Sequence, residues 1–290
     1  MPAKTRSASR PKPRAETSDP AWSVPSLREP RYSQSLERGL AILTCFSAAR
    51  PSLGIADIAD ELGMSRSTTH RYVITLVALG YLEQEASRKY RLGLRVTDLG
   101  MAALGSTGLA EHAHPYLEEL RARTSYTASL AVLDGTEIVY VDRVRSFRRG
   151  VRGSDPGLQP GSRLPAYCTA LGKVLLAHLP DDAQRRTLAE IKLAKRGPKA
   201  PTSKRALREQ LADVRRAPLA IADRELDDEL CAIAAPVRDG GREVVAAAGV
   251  AAHRAMISAD EMIDALGPHV IAAADRISAR LGYRREDERG

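Results

Sequence analysis

The chain lacks the usual marks of a membrane-inserted, secreted or metal-binding protein. Only three of its 290 residues are cysteine. They are widely separated, with no CxxC or Cys/His spacing, which indicates reduced thiols rather than a disulfide framework or a zinc site. No apolar run reaches membrane-spanning length, and the N-terminus has no signal-peptide core. We therefore expect a cytoplasmic protein that binds no metal and needs no cofactor.

A catalytic centre is also missing from the sequence. Cys168 stands beside Thr169 and near Lys173, which superficially suggests a nucleophile. No histidine is positioned by the sequence to activate this thiol, so we interpret it as a small pocket-lining side chain and expect no enzyme. The remaining thiols and the histidines without metal spacing are interpreted as core, packing or surface residues: Cys45, Cys231, His112, His114, His178 and His253.

The charge balance favours an acidic partner. The net charge is +8 and the isoelectric point about 9.6, although charge alone does not separate nucleic acid from a membrane surface. The length suggests two domains, and 43% hydrophobic residues suffice for their cores. Residues 1–31 hold seven Lys and Arg, three acids and six prolines, so we expect a disordered basic arm. The arm either adds nonspecific DNA affinity or is a dispensable tail.

Residues 54–82 have the pattern of a helix-turn-helix. Apolar residues recur at helical spacing up to Gly63, which is placed to stop the first helix, and Ser65 is placed to cap the second. An earlier helix over residues 33–46 completes a three-helix domain. The second helix of the motif begins with donors and no acid, as in a helix that reads the DNA major groove. The predicted DNA contacts there are Ser65, Arg66, Ser67, Thr68, Thr69, His70, Arg71 and Tyr72, with Arg66 preferred for a guanine.

A hairpin follows this helix and predicts a wing. Gly80 to Glu83 leads into one strand, and Lys89 to Gly93 reads as the returning strand. The positive side chains Arg88, Lys89 and Arg91 suit phosphate or minor-groove contacts, and the alternative is a solvated hairpin. The sequence from Val96 to Arg123 is typical of a long helical connection, interrupted near Gly105 to Gly108, which would hold two copies at a fixed half-site spacing.

The rest of the chain mixes strand and helix patterns. Strands are predicted at Thr127–Leu133 and Glu137–Val144, joined at Asp134-Gly135, and at 219–222, 232–237 and 244–251. Helices are predicted at 169–178, 181–192, 203–215 and 259–281. We expect an α+β ligand-sensing domain with its helices gathered on one side of an antiparallel sheet.

Several arginines are close together at the end of the first of these hairpins and in the segment that follows it. Any one of them could pair with an effector carboxylate as a bidentate fork, and the alternative is a solvated loop or a subunit interface. The arginines are Arg143, Arg145, Arg148, Arg149 and Arg152, followed by Arg163.

Six motifs in this order resemble the IclR family of bacterial transcription regulators. They lie at Ser35–Leu43, Ser65–Leu82, Lys89–Gly100, Ala131–Val144, Gly161–Ala177 and Ile233–Asp239. The resemblance covers roughly residues 33–282, and it is closest to the regulators of the β-ketoadipate pathway, which control protocatechuate and 4-hydroxybenzoate breakdown.

The resemblance implies a domain order and partners. It implies a winged helix-turn-helix domain (32–94), a linker and dimerisation helix (95–124), and a GAF-like effector-binding domain (125–282), with 1–31 as the arm and 283–290 as a charged tail. The implied partners are a double-stranded DNA operator, an aromatic or dicarboxylic acid effector, and further copies of the chain in a homodimer or tetramer. The resemblance leaves open an effector from another catabolic or secondary-metabolic pathway.

The effector pocket that the resemblance implies departs from the family in two places. Family members often carry Cys or Ser at Ala232 and small polar residues at Gly249 or Ala251, so we expect a wider and less polar pocket that suits an aromatic or longer-chain acid. Residues 227–229 are acidic where a Pro-Gly turn is usual, which alters the rim. The pocket residues implied are Arg143, Tyr167, Cys168, Thr169, Ala170, Leu171, Asp223, Ala232, Gly249 and Ala251.

Overall fold

A computed structural model describes residues 32–47, 49–105, 108–146 and 157–284. The predicted basic arm, residues 285–290 of the charged tail, and the arginines at 148, 149 and 152 lie outside these residues. Contacts between Cα atoms divide the chain into two compact units, 1–99 and 100–290. None of the helices described is both long enough and apolar enough to span a membrane.

The first unit is built from three helices and a two-stranded hairpin. Its elements are α1 (Gln34–Thr44), α2 (Ile55–Leu62), α3 (Arg66–Ala78), β1 (Leu82–Gln84) and β2 (Tyr90–Leu92), followed by α4 (Arg95–Gly105), which crosses the division between the units. The predicted helix-turn-helix is confirmed. Gly63 ends α2 in the left-handed conformation at φ 63°, and the Ser65 hydroxyl accepts the Thr68 N–H at 3.2 Å to cap α3.

The hairpin is anchored to the helical core. β1 and β2 are antiparallel, with Leu82 opposite Leu92. Leu53 and Tyr90 each donate a backbone hydrogen bond to the other, so the segment before α2 forms an antiparallel bridge with β2. Ile42, Ile58, Val73, Leu82 and Tyr90 meet in the core of this unit. The hairpin therefore has a fixed position relative to α3.

The second unit is organised around a six-stranded antiparallel sheet. Its strands are β3 (Thr127–Asp134), β4 (Glu137–Val144), β5 (Arg163–Pro165), β6 (Ala220–Asp223), β7 (Leu230–Arg238) and β8 (Val244–His253). The spatial order is β5-β4-β3-β8-β7-β6. The predicted β3–β4 hairpin turns at Gly135, whose φ of 60° favours glycine. The three residues of β5 were not predicted as a strand.

Helices cover both faces of this sheet, so the expectation that they gather on one side is wrong. The helices of this unit are α5 (Leu109–Thr124), α6 (Ala170–Ala177), α7 (Asp181–Glu190), α8 (Lys204–Arg216), α9 (Ala259–Glu261) and α10 (Gly267–Arg280), with a 3-10 turn at Ala166–Cys168 and a π turn at Met262–Leu266. α5 and α10 pack on one face, and α6, α7 and α8 on the other. β7 and β8 are apolar on both faces because each face has its own core.

One irregularity in β4 sets the direction of its side chains. Ala131 of β3 lies opposite Tyr140, whereas the preceding residue Leu130 lies opposite Asp142. Val141 is therefore the extra residue of a β-bulge. Beyond it the alternation of side chains is shifted by one, so that Tyr140 and Arg143 share a face although they are three residues apart.

Candidate functional site

The start of α3 presents a polar, exposed surface. Ser65, Arg66, Ser67, His70 and Arg71 are exposed, and among the residues described none of these three basic side chains forms an ion pair. Basic side chains that have no ion-pair partner suit both base edges and phosphates when they lie at a helix N-terminus. Thr68 and Tyr72 are half-buried.

Thr69 differs from its neighbours because it belongs to the core. Its side chain is fully buried, and its hydroxyl donates to the Ser65 carbonyl at 3.1 Å. Packing against the rest of the unit leaves this side chain no access to a DNA groove. Thr69 is therefore a structural residue of the helix, and the sequence-based choice of it as a contact needs this correction.

The hairpin carries positive charge at its tip. Arg88 and Lys89 are exposed, and Arg88 adopts φ 61° in the turn. Arg91 lies on β2 and donates twice to the Glu83 carboxylate, at 2.8 and 3.1 Å. Because this carboxylate offsets its charge, Arg91 offers less to a phosphate than the two tip residues do.

The second unit contains a recessed pocket between α6 and the sheet. The space inside it, counted with its open mouth, is about 490 Å³. The lining residues are Ser129, Tyr140, Arg143, Leu164, Cys168, Thr169, Ala170, Leu171, Ala222, Leu226, Leu230, Ala232, Ile233, Gly249, Val250 and Ala251. Most of these residues are apolar, and Arg143 is the only charged one among them.

The polar end of the pocket is organised around Arg143. Its Nε donates to the Ser129 hydroxyl at 3.2 Å, and Nη1 donates to the Leu158 carbonyl. The guanidinium lies over the Tyr140 ring, 5.0 Å from its centroid. A guanidinium held by a hydroxyl and a backbone carbonyl, and faced by an apolar wall, suits a carboxylate attached to an apolar body.

The structure brings eight of the ten predicted pocket residues together: Arg143, Cys168, Thr169, Ala170, Leu171, Ala232, Gly249 and Ala251. Tyr167 does not line the pocket, because its hydroxyl donates to the Ala194 carbonyl at 2.9 Å and is held there. Asp223 does not line it either, because strand alternation places Ala222 on the pocket face. Asp223 instead pairs with Lys199 and with Arg254 at 3.0 Å.

Several lining residues were missed by the sequence reasoning. Ser129 and Tyr140 lie within strands that were predicted correctly, and period-two alternation gives both to the pocket face once that face is known. The signal for Arg143 is weaker, because regular alternation from Tyr140 would have turned it away. Of the other arginines, Arg163 pairs with Asp134 and Glu137 and lies outside the lining.

Two family models match this arrangement. The IclR helix-turn-helix domain matches residues 35–86, and the model described as bacterial transcriptional regulator IclR C-terminal matches residues 101–279. Together they span most of the chain. The protein belongs to the IclR family.

Its relatives among characterised IclR regulators are similar over nearly their whole length. Identity is 32% to the Pca regulon regulatory protein of Pseudomonas putida, over 87% of this chain and 86% of that protein. It is 32% to XynR of Escherichia coli, over 86% and 98%. It is also 32% to the p-hydroxybenzoate hydroxylase transcriptional activator of Acinetobacter baylyi, over 83% and 89%.

A solved structure of the family shows the same fold. The IclR homologue from Microbacterium hydrocarbonoxydans, complexed with 4-hydroxybenzoate, has a TM-score of 0.74 and 27% identity, covering 85% of this chain and 98% of that one. The Thermotoga maritima IclR structure gives a TM-score of 0.68 at 25% identity, covering 86% and 99%.

The departures of this IclR regulator from its family have structural reasons. A Cβ on Gly249 would lie 2.3 Å from the Ile233 carbonyl oxygen of β7, so this glycine permits close strand packing. Close strand packing is therefore a further reason for glycine at this position. Ser129, Tyr140 and Thr169 add hydroxyls to the pocket lining.

The acidic rim at 227–229 is held by ion pairs and backbone caps. Arg224 donates to Asp228 Oδ1 at 2.8 Å, and His253 contacts the Glu229 carboxylate at 2.8 Å. The Asp227 carboxylate accepts the Glu229 N–H at 2.9 Å. These contacts replace what a Pro-Gly turn would supply.

The pocket thiol is not activated. Burial raises the pKa of Cys168 to about 11, against a smaller lowering by Arg196. The thiol therefore stays protonated near neutral pH, and it donates weakly to the Pro165 carbonyl at 3.8 Å. No histidine or carboxylate lines the described pocket beside it. Groups of three or more His, Cys, Asp or Glu side chains that could hold a metal are likewise absent from the described residues.

Proposed function

We propose that this IclR regulator controls genes of aromatic acid catabolism by binding a small aromatic monocarboxylate such as 4-hydroxybenzoate or protocatechuate. The observation that carries the proposal is the guanidinium of Arg143, the one charged group among the residues that line a mostly apolar pocket. A single carboxylate would pair with Arg143, and a ring would pack against the apolar wall. The names of two relatives and the 4-hydroxybenzoate in one solved homologue support this effector class.

DNA binding in the proposal uses the exposed start of α3 and the tip of the hairpin. Ser65, Arg66, Ser67, His70 and Arg71 would enter the major groove, with Thr68 and Tyr72 at its edge. Arg88 and Lys89 would contact phosphate or the minor groove beside it, with Arg91 weaker because of Glu83.

The same proposal includes a cytoplasmic, non-enzymatic protein that acts as a homodimer or tetramer. The protonated Cys168 thiol without a neighbouring base supports a binding role for the pocket. A repeated DNA-binding unit supports pairing of copies, because two recognition helices must reach two half-sites at a fixed spacing.

The first experiment measures binding of the purified protein to its own upstream DNA at one fixed salt concentration. Titrations are run without ligand and with 4-hydroxybenzoate, protocatechuate or β-ketoadipate. We expect an aromatic acid to change DNA affinity by about 5- to 150-fold, the usual range of coupling between two sites. Tight specific binding that none of the acids alters would retain the regulator and reject the effector.

The matched variant is Arg143→Met, which keeps a long side chain but removes the guanidinium that would pair with the ligand carboxylate. We expect calorimetry to show 4-hydroxybenzoate affinity lowered by about 10- to 100-fold, with specific DNA binding in the absence of ligand retained. Arg163→Met is the control, because that arginine pairs with Asp134 outside the pocket. Equal losses in the two variants would contradict the assignment of Arg143.

A regulator of a different pathway is the second candidate, since XynR is as similar as the aromatic-pathway relatives. A response to a small molecule other than an aromatic acid would favour it. An architectural DNA binder without an effector is the third. A ligand-induced rise in melting temperature would exclude that reading.

A further inference from the structure

Asp142 connects the pocket strand to the helix behind the sheet. Its Oδ1 accepts the backbone N–H of Arg143 at 2.7 Å, and its Oδ2 lies 2.7 Å from Nδ1 of His114 on α5. A carboxylate only accepts, so Nδ1 of His114 carries the hydrogen in this contact. One side chain thus holds the residue that faces the ligand and a residue of the helix on the opposite face.

The bulge at Val141 determines which face of the sheet each of these two neighbouring residues takes. Because the alternation shifts there, Asp142 faces α5 while the next residue, Arg143, faces the pocket. Asp142 is only 9% exposed and lies opposite Leu130, whose side chain belongs to the core under α5. Asp142 is therefore held at the boundary between that core and the bulge.

Helix α5 is packed against the core along one side, so we expect it to move as a unit when His114 is displaced. Ala113, Leu117 and Leu120 are buried along one side of it, so a displacement at His114 acts on a helix packed along its length. In the chain α5 follows α4, which follows the β1–β2 hairpin.

We propose that Asp142 is a positioning residue that fixes Arg143 at the bulge and carries occupancy of the pocket to α5 through His114. The inference rests on the proposed function, in which the pocket binds an effector. A carboxylate ligand competes for the guanidinium with the Ser129 hydroxyl and the Leu158 carbonyl. When the guanidinium moves, the backbone N–H of Arg143 moves with it. Because Asp142 contacts both this N–H and Nδ1 of His114, the displacement is transmitted to the His114 ring.

The test separates ligand binding from its effect on DNA binding. His114→Ala breaks the link to α5 but leaves the Arg143 N–H on Asp142, and the side chain is half exposed, so the fold should persist. We expect the affinity for 4-hydroxybenzoate to stay within about threefold of wild type, while the 5- to 150-fold ligand effect on DNA affinity falls to about twofold or less. His114→Asn, which can place an N–H near the former Nδ1, should restore part of the effect.

Glu118→Ala is the matched control, because Glu118 is the other acid near the same ring, 3.7 Å from Nε2 of His114. It should keep the full ligand effect. A full effect in His114→Ala, or an equal loss in Glu118→Ala, would overturn the proposal. Loss of ligand affinity in His114→Ala as large as in Arg143→Met would also overturn it, because the contact would then serve only to build the pocket.

A second experiment is carried out without ligand, so that it tests this inference independently of which effector the pocket binds. Hydrogen exchange of the α5 amides is compared in the Arg143→Met variant with and without His114→Ala. We expect Arg143→Met to raise α5 exchange about fivefold or more when His114 is present, and to have little further effect when it is absent. No change with His114 present overturns the link, whereas a wild-type protein indifferent to all three acids rejects only the effector.

Discussion

At the scale of single residues, Lys173 and Glu225 form an ion pair that is almost completely buried. Lys173 is 3% and Glu225 6% exposed, and the ammonium donates to Glu225 and to the Ile221 carbonyl at 3.4 Å. The second carboxylate oxygen of Glu225 has no partner among the described residues. The pair joins α6 to the segment that leads into the pocket rim, at a high cost in desolvation.

Lys173→Met should lower the free energy of unfolding by about 3–5 kcal/mol, because it leaves the Glu225 carboxylate buried and unpaired. Lys173→Met with Glu225→Leu should recover most of that loss. Burial already raises the pKa of Glu225, so the single variant should lose less stability as pH falls and this carboxyl takes up a proton in the folded state. Urea unfolding at several pH values checks this. A pH-independent loss below about 1 kcal/mol would contradict it.

Arg66→Ala should relax the preference for one base at one operator position, at a cost of about 1–3 kcal/mol on the preferred sequence. A bidentate contact to guanine is lost only where the guanine is present. Binding to a panel of single-base operator variants at fixed salt measures this. Arg91→Ala is the control, and its smaller loss should be uniform across sequences. A uniform loss in Arg66→Ala would show that Arg66 contacts phosphate alone.

At the scale of elements, the sequence was informative wherever the chain obeys a simple period. Caps, a left-handed Gly63 and helical spacing placed α2 and α3, and the turn at Gly135 placed β3 and β4. The sequence was less informative where tertiary packing decides. Apolar residues on successive positions of β7 and β8 indicate two buried faces, whereas the antiparallel order of the strands by itself favours a sheet covered on one side.

The errors in the candidate pocket were errors of one residue. The sequence predicts Asp223 where Ala222 faces the pocket, and it predicts Tyr167 in addition to its neighbour Cys168, although only Cys168 lines the pocket. A motif marks a segment, but only the pleat of the strand and the start of α6 decide which of two neighbours points inward. Thr69 was misplaced for the same reason on α3, since one helical position in four turns toward the core.

Gly249→Ala should destabilise the second unit by about 1–3 kcal/mol, as overpacking does in other cores. The new Cβ would lie 2.3 Å from the Ile233 carbonyl oxygen, and only a shift of β7 or β8 could relieve the contact. Gly39→Ala in α1 is the matched control. Nothing lies within 4 Å of its Cβ, so it should be neutral or stabilising. Thermal unfolding distinguishes the two, and equal stability of Gly249→Ala and wild type would refute the packing explanation.

At the scale of the whole molecule, exposed apolar side chains are concentrated in the first unit and α4. Leu94 is 82% and Leu99 56% exposed, and Leu36 and Leu40 of α1 are also exposed. Large apolar side chains that a monomer leaves in water commonly mark a contact between proteins. They support the proposed pairing of copies, which we expect from the sequence through the helical connection that begins at Val96.

Leu94→Glu with Leu99→Glu should shift the protein toward monomer and lower operator affinity by about tenfold or more, because each half-site would then be bound separately. Val245→Glu on β8 is the control for an exposed apolar residue in the second unit. Sedimentation velocity and binding to one or two half-sites provide the measurements. Unchanged assembly in the double variant would remove these leucines from the interface.

The bulge at Val141 also has a consequence for how this gene can vary. Deleting Val141 would restore a regular strand and leave Asp142 and Arg143 on their present faces. Deleting Val139 would instead move Tyr140, the one residue between it and the bulge, to the other face of the sheet. Val141 is thus the position in β4 where a codon can be lost with the charge of the pocket preserved. Among descendants of this gene, gaps in β4 should accumulate there, and lineages that respond to acids should keep arginine two positions beyond it.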